Sequence, residues 1–306
     1  MEQFSTFMIV SMIFNIVIGI GLPILLVILI KKKYEMRIGP LFVGACTYLA
    51  INMLLQGAVD TAINLIQPLA NFLAANEMVC AVVIAVLHGL LQLGGYYLMI
   101  HMFMKDFRRK ENSLLFGVGI RIIDSVMAYG ISAGVALLIL AITINGQGMD
   151  AYLAAYGEAT VEAEETRAAL VEMMEMPVIE LAGMGIICVC LMFMTIAVSV
   201  LIFQAAKRPG KMYLMPTAGA ISVLNCLLLQ MYSAGIIETI GKCIVYLVLL
   251  TVVSCVIAFF VYRSDTDEER GKADILLNAS ANTPGEMSMR EKIAKVNKSS
   301  TPGKEE

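Results

Sequence analysis

Residues 88–124, HGLLQLGGYYLMIHMFMKDFRRKENSLLFGVGIRIID, decide the fold of this chain. A short basic stretch separates two apolar segments, and the second segment carries Arg121 and Asp124 within its apolar part. This pattern predicts two membrane-spanning helices joined by a short cytoplasmic turn. Ionisable groups inside a bilayer are costly, and they are therefore the first place to look for function.

The composition of the whole chain is that of a membrane protein. Its 306 residues are 59% hydrophobic and 15% charged, and the mean hydropathy is +0.80. This is more apolar surface than a soluble domain of this size can bury. No basic groove with interleaved aromatic residues is present in the sequence, which argues against a nucleic-acid partner. We therefore expect a multi-pass protein of the cell membrane, with the lipid bilayer as its surroundings.

Seven apolar segments are long enough to cross a bilayer. The predicted spans are residues 7–30, 40–59, 78–103, 114–144, 178–203, 212–233 and 243–262. Of the 22 Lys and Arg residues, nineteen fall in the loops and tail on one side of this arrangement. The positive-inside rule then predicts an all-α polytopic bundle with its N-terminus outside and its C-terminus in the cytoplasm.

The sequence also predicts what lies between and beyond the spans. A transmembrane domain covers residues 1–263, and the polar segment 264–306 is predicted to be a disordered cytoplasmic tail. Residues 60–77 are too polar to span and are placed at the outer interface. Residues 145–177 hold seven acidic residues against the single base Arg167, which predicts an external acidic helix.

The fourth span is longer than the roughly 20 residues that a membrane crossing requires. Its length indicates either a tilted helix or a break near Gly130 and Gly134.

Four polar residues of the opening stretch form a candidate site: His88, Gln92, Arg121 and Asp124. Equal distances from the turn place His88 and Asp124 at one depth, at a rise of about 1.5 Å per residue. Gln92 and Arg121 share a second depth, and Arg121 can pair with Asp124 at i,i+3. The cluster could act as a proton relay or a substrate-binding site, or it could consist of internally satisfied packing contacts.

A metal site is harder to assemble from this sequence. His88 and His101 are thirteen residues apart and project from different faces of one helix. A catalytic zinc needs about three protein ligands, and no His-x-x-x-His pair or carboxylate cluster supplies them. We therefore predict no cofactor, with zinc expected only if the protein is an enzyme with an atypical site.

Glycines recur at fixed places in the hairpin. Gly89 precedes Gln92, and Gly117-Val118-Gly119 precedes Asp124 on the next helix. This framework resembles the YhfC-type intramembrane metalloproteases, a branch of the group that includes the CAAX-processing proteases. In those proteins the motifs are Gly-x-x-Glu-Glu-x-x-Arg and Gly-x-Gly-His-x-x-x-Glu, and histidines follow on later helices. The resemblance covers the hydropathy plan from about residue 7 to 263.

The chemical positions of these motifs differ in this chain. Gln92 and Leu93 stand at the paired glutamates, and Tyr96 stands at the arginine. Ile120 stands at the histidine and Asp124 at the second glutamate. Where the resemblance implies histidines on later helices, this chain has Cys188, Ile221 and Asn225.

Three functions follow from these observations. The first is a degenerate family member, a pseudoprotease that keeps the scaffold and binds a membrane-embedded protein or peptide partner. The second is a small-solute transporter or channel that uses the polar seam of the third and fourth helices. The third is an active membrane peptidase with an atypical site built from residues such as His88 and Asp124.

Overall fold

The computed structural model describes residues 3–107, 109–154, 161–208 and 210–281, and all regular secondary structure in these ranges is helical. Seven helices of the described ranges are long and apolar enough to cross a membrane. In chain order they are α1 (Thr6–Tyr34), α2 (Gly39–Leu65), α4 (Glu77–Phe103), α5 (Asn112–Gln147), α8 (Val178–Lys207), α9 (Leu214–Ser233) and α10 (Ile240–Ala281). Three shorter helices are α3 (Gln67–Ala74), α6 (Met149–Ala154) and α7 (Val161–Glu175). The predicted seven-helix membrane bundle is confirmed.

Helix α8 forms the centre of the bundle. In its most apolar stretch 78% of the residues are buried, compared with 17% in α1 and 22% in both α2 and α4. It contacts α1, α4, α5 and α9. A helix that is apolar on every side can be surrounded by other helices while burying few polar groups. The other helices leave large apolar side chains on the outside, where the bilayer solvates them.

Hydrogen bonds join the ends of helices at two places. At the basic end, Lys207 Nζ donates to the carbonyl of Met104 at 2.7 Å, and Arg109 Nη2 donates to the carbonyl of Tyr34 at 3.2 Å. These bonds join the ends of α1, α4 and α8. Elsewhere, Asn145 near the end of α5 exchanges two hydrogen bonds with the backbone of Phe4, at 2.8 and 3.0 Å. The side of the membrane that each group faces stays a prediction.

Glycines of the hairpin allow close helix packing. A Cβ on Gly89 would lie 2.7 Å from Val223 Cα on α9. A Cβ on Gly117 would lie 2.7 Å from Ile196 Cα on α8, and one on Gly119 would overlap the carbonyl oxygen of Leu41 on α2. These positions therefore hold α4 against α9, and α5 against α2 and α8.

The long helix α5 does not break at Gly130 or Gly134, contrary to one of the two alternatives. It continues for 36 residues, with wide π-helical turns from Ser125 to Ala136. Both glycines instead face α1. A Cβ on Gly130 would lie 2.6 Å from Ile20 Cγ1, and one on Gly134 would lie 2.5 Å from Ile16 Cγ1. The small residues serve the contact between helices and leave the helix intact.

Other boundaries also differ from the hydropathy pattern. Helix α2 runs to Leu65 and includes Asp60, because the carboxylate of Asp60 finds a partner on α4. The segment 60–77 thus holds the end of α2 and all of α3. Helix α10 continues to Ala281, so residues 264–281 of the predicted disordered tail are helical. Residues 282–306 lie outside the described part of the chain.

The acidic segment 145–177 contains α6 and α7, and residues 155–160 between them lie outside the described ranges. Arg167 on α7 pairs with Asp150 on α6, with 3.2 Å between Nη2 and Oδ1. An apolar cluster lies beneath these helices, and it includes Met8, Met149, Leu153 and Leu170. The described chain divides into two units, with the second beginning at Phe259.

Candidate functional site

A small polar cavity lies between α4, α8 and α9. Its volume is about 10 Å³, which is near the lower limit for a single water molecule. The cavity-lining residues are Gln92, Tyr96, Met194, Thr195, Val198, Ile221, Ser222 and Asn225. Four of them, Gln92, Tyr96, Ile221 and Asn225, stand at positions that the family resemblance singled out. The fold thus brings the motif positions of α4 and α9 into one place.

The buried ion pair of α5 lies next to this cavity. Arg121 Nη1 and Asp124 Oδ2 are 2.5 Å apart, and the two side chains are 12% and 20% exposed. The i,i+3 spacing on one helix brings them together. Arg121 Nε also donates to Thr195 Oγ1 on α8 at 3.1 Å. Since Thr195 lines the cavity, a hydrogen bond connects the ion pair to the cavity wall.

Tyr48 on α2 completes the environment of Asp124. Its hydroxyl donates to Asp124 Oδ1 at 3.1 Å. The two carboxylate oxygens of Asp124 therefore have separate partners, the guanidinium of Arg121 and the phenol of Tyr48. The two bonds fix the orientation of the carboxylate and connect α2 to α5.

Tyr96, at the position where the resemblance implies an arginine, is part of the core. The side chain is 3% exposed, and its hydroxyl donates to Asn52 Oδ1 on α2 at 3.2 Å. Its ring packs edge-on against Phe116 on α5, with 6.4 Å between centroids. Tyr96 thus links α2, α4 and α5 by packing and by one hydrogen bond.

His88 has a partner that the sequence did not indicate. Its Nε2 lies 2.8 Å from Asp60 Oδ1 near the end of α2, and Gln56 Nε2 donates to the carbonyl of His88 at 3.3 Å. Of the four candidate residues, the structure brings Arg121 and Asp124 together and places Gln92 on the cavity wall. It pairs His88 with Asp60. The functional role of the four residues stays a prediction.

Asn225 contributes an unused hydrogen-bond acceptor. The residue is 6% exposed, and its Oδ1 has no hydrogen-bond partner within the described part of the chain. An unsatisfied buried polar group costs about 1–3 kcal/mol. The cavity therefore favours an occupant that carries a hydrogen-bond donor.

The later family position at Cys188 lies in a packing contact. Cys188 Sγ is 3.1 Å from Ser125 Oγ on α5, and the Ser125 hydroxyl donates to the carbonyl of Gly19 on α1 at 2.9 Å. The single hydroxyl proton of Ser125 is used on Gly19, so the thiol of Cys188 is the donor to Ser125. This contact joins α1, α5 and α8.

The cavity residues do not fit a catalytic metal. They offer neutral amides and hydroxyls, whereas a catalytic zinc is held by imidazole, thiolate or carboxylate groups. The guanidinium of Arg121, bonded to Thr195, adds a positive charge that opposes a divalent cation. Within the ranges that the structure describes, no three His, Cys, Asp or Glu residues are placed to hold a metal ion.

Four partners in this region were not predicted from sequence: Tyr48, Asn52, Asp60 and Thr195. Asp60 follows directly after the predicted end of the second span, and its proximity to that boundary was a usable signal. Thr195 is one small polar residue in a long apolar helix. Nothing in the sequence distinguishes it from residues that bond only to their own helix.

Comparison with known proteins places these observations in a family. The family model described as YhfC intramembrane metalloprotease matches residues 18–262. Over 124 residues the chain is 27% identical to a Bacillus subtilis (strain 168) protein described as "Uncharacterized membrane protein YhfC". That alignment covers 40% of this chain and 48% of the relative, or about half the relative's length. No solved structure matches the chain.

Proposed function

Because the chain belongs to the YhfC intramembrane metalloprotease family, we propose that it uses the family scaffold to bind a membrane-embedded protein or peptide partner without metal-dependent hydrolysis. The donor set of the cavity carries this proposal. Hydrolysis by a metal-activated water needs a metal held by three protein ligands and a group that accepts a proton. The cavity supplies neither.

The residues at the motif positions support a loss of catalysis. Ile120, at the histidine position, is fully buried and apolar. Asp124, at a glutamate position, is bonded to both Arg121 and Tyr48. Gln92, at the first glutamate position, is a neutral amide on the cavity wall. None of the three offers a free metal-binding or proton-accepting group, because Ile120 is apolar, Asp124 is paired and Gln92 is neutral.

The glycines support retention of the scaffold. Gly89, Gly117 and Gly119 belong to the motif framework, and each allows a helix contact that a side chain would obstruct. A chain that has lost the reactive groups but keeps these contacts preserves the shape of the bundle. Partner binding requires that shape, whereas it does not require the reactive groups.

The cavity also favours binding over transport. With room for about one water, it is too small for a hydrated ion or a metabolite. It is partly open, and Asn225 Oδ1 offers an acceptor to a donor from outside. A polar side chain of a neighbouring transmembrane segment can provide that donor, because interhelical hydrogen bonds are a common contact in membranes.

Metal analysis tests the catalytic part of the proposal. The purified full chain is incubated with excess zinc, desalted and measured for zinc per chain, and we expect far less than one equivalent. The control is the triple variant Gln92→Glu/Ile221→His/Asn225→His, which places three ligand types at cavity positions and should retain more zinc. One zinc per wild-type chain, lost on Asn225→Ala, would show that the proposal is wrong.

Photocrosslinking in the native cell tests the partner. Leu224 is 47% exposed and adjacent to Asn225, while Leu25 on α1 is 52% exposed and distant in sequence from every cavity residue. A photoreactive amino acid at Leu224 should capture one recurrent protein, which Asn225→Ala should weaken. The same residue at Leu25 should not capture it. Equal capture at both positions contradicts binding at the cavity.

A further inference from the structure

We propose that a groove between the end of α1 and the start of α5 binds an anionic phospholipid. The groove is open to the surface and has a volume of about 680 Å³. Its lining comes from the last two turns of α1 and the first turn of α5, and consists of Leu29, Ile30, Lys32, Lys33, Tyr34 and Leu114.

The lining changes from apolar to charged along α1. Leu29 and Ile30 end the apolar run of the helix, and Lys32 and Lys33 follow within one turn. Leu114 adds an apolar surface from α5. A phospholipid has the same sequence of groups, with acyl chains in the hydrocarbon and a phosphate at the interface. Lysines at a helix end extend their ammonium groups to that level.

The charge of the groove is of one sign. Its lining has two ammonium groups and no carboxylate. The adjacent cavity of about 480 Å³ has a mixed lining, in which Arg37 and Arg109 are accompanied by Glu35 and Asp106. Only the first of these two sites offers uncompensated positive charge to an anion. Basic pockets between membrane helices are typical sites for anionic lipid headgroups.

Hydrogen bonds fix the polar wall of the groove. Arg109 Nη2 donates to the carbonyl of Tyr34 at 3.2 Å, and the charge of Arg109 is partly offset by Glu111 at 3.5 Å. Lys33 Nζ lies 5.3 Å from the centroid of the Tyr34 ring, within the range of a cation–π contact. The lysines are therefore presented on a wall that is anchored to the segment before α5.

The apolar floor selects a lipid over a soluble anion. Leu29 is 52% exposed, so free phosphate in this groove would leave an apolar surface uncovered. An acyl chain covers that surface while the headgroup meets Lys32 and Lys33. The proposal is independent of whether the cavity between α4, α8 and α9 binds a partner.

Native mass spectrometry of the full chain in detergent tests the proposal. The protein is mixed with equal amounts of phosphatidylglycerol and phosphatidylcholine, and we expect phosphatidylglycerol to be retained preferentially. Lys32→Gln should lower its affinity about fivefold, the effect expected for one basic residue near an anionic surface. The matched control is Lys31→Gln, which removes the same charge one residue away from the lining and should change affinity less than twofold.

Two further arms separate the sources of the signal. Leu114→Trp fills the apolar floor and should reduce phosphatidylglycerol retention, and excess inorganic phosphate should not displace the lipid. Equal retention of the two lipids would overturn the proposal. So would an equal effect of Lys31→Gln and Lys32→Gln, because diffuse surface charge would then explain the binding.

Discussion

The ion pair between Arg121 and Asp124 is a costly residue-scale feature of the bundle, since both charges have left water for the interior between the helices. Its hydrogen bonds make this location tolerable. Asp124 accepts from Arg121 and Tyr48, and Arg121 also donates to Thr195. A buried pair is compatible with a stable fold when its remaining donors and acceptors have partners in this way. The pair thus connects α2, α5 and α8.

Double-mutant cycles should separate this pair from that of His88 and Asp60. Asp124→Ala should lower the free energy of unfolding by about 3–5 kcal/mol, because it leaves the Arg121 charge unpaired. Replacing both residues by leucine should cost less than the single change. For His88 and Asp60 the coupling should be about 1 kcal/mol or less, because Asp60 is 43% exposed. Reversible unfolding in mixed micelles measures the coupling energy of each pair. A coupling energy for His88 and Asp60 as large as that for Arg121 and Asp124 would contradict the prediction.

Sequence alone could predict residue contacts within one helix but not between helices. The spacing of Arg121 and Asp124 indicated their contact, and the structure contains it. The partners Tyr48 and Thr195 depend on how α2 and α8 are rotated against α5, which hydropathy does not encode. The predicted common depth of His88 and Asp124 also gave no partner for His88, whose contact Asp60 lies twelve residues along α2 from Tyr48, the contact of Asp124.

At the scale of elements, glycine contacts make the packing testable with a matched pair of substitutions. A Cβ on Gly44 would lie 2.9 Å from the backbone nitrogen of Ile120 on α5, with the carbonyl oxygen of Phe116 closer still. Gly44→Ala should therefore lower the free energy of unfolding by about 1–3 kcal/mol, as overpacking does. A Cβ on Gly94, in contrast, would have no atom of another element within 4 Å.

Gly94→Ala provides the control for that prediction. It should raise stability by about 0.5–1 kcal/mol, because alanine is the better helix former. The two substitutions add the same methyl group to a helix, so opposite signs identify packing as the cause. Thermal unfolding of the purified variants measures both, and loss of stability in both variants would contradict the assigned contacts.

Hydropathy predicted the number of spans but not their arrangement. Helices α1 and α8 have the same mean hydropathy, 2.9, in their most apolar stretch, yet 17% of the residues are buried in α1 and 78% in α8. Lipid and protein interior are equally apolar, so composition does not distinguish them. For a related reason the sequence left a tilted helix and a break near Gly130 and Gly134 as two alternatives, since the role of these glycines depends on the neighbour α1.

At the scale of the whole molecule, the seven-helix bundle surrounds a small cavity whose polar lining groups are neutral amides and hydroxyls. The motif glycines keep α4 and α5 close to their neighbours, and the cavity still gathers Gln92, Ile221 and Asn225. The resemblance indicated positions at which this chain differs from the motifs, but only the fold brings α4 and α9 together at one cavity. The proposed loss of hydrolysis follows from the chemistry of those residues and not from the fold.

The orientation of the bundle is predicted by its charges and can be tested by labelling. Lys207 and Arg109 join helix ends at the basic end, which the positive-inside rule places in the cytoplasm. A membrane-impermeant maleimide should therefore label Glu238→Cys, between α9 and α10, in intact cells. It should label Lys105→Cys, between α4 and α5, only after permeabilisation.

Both positions are accessible to the reagent, because the side chain of Glu238 is 76% exposed and Lys105 is exposed. The unsubstituted protein serves as the control for labelling of the native cysteines. Labelling of Lys105→Cys in intact cells would contradict the predicted topology, because the nineteen basic residues of the predicted cytoplasmic side would then face outward.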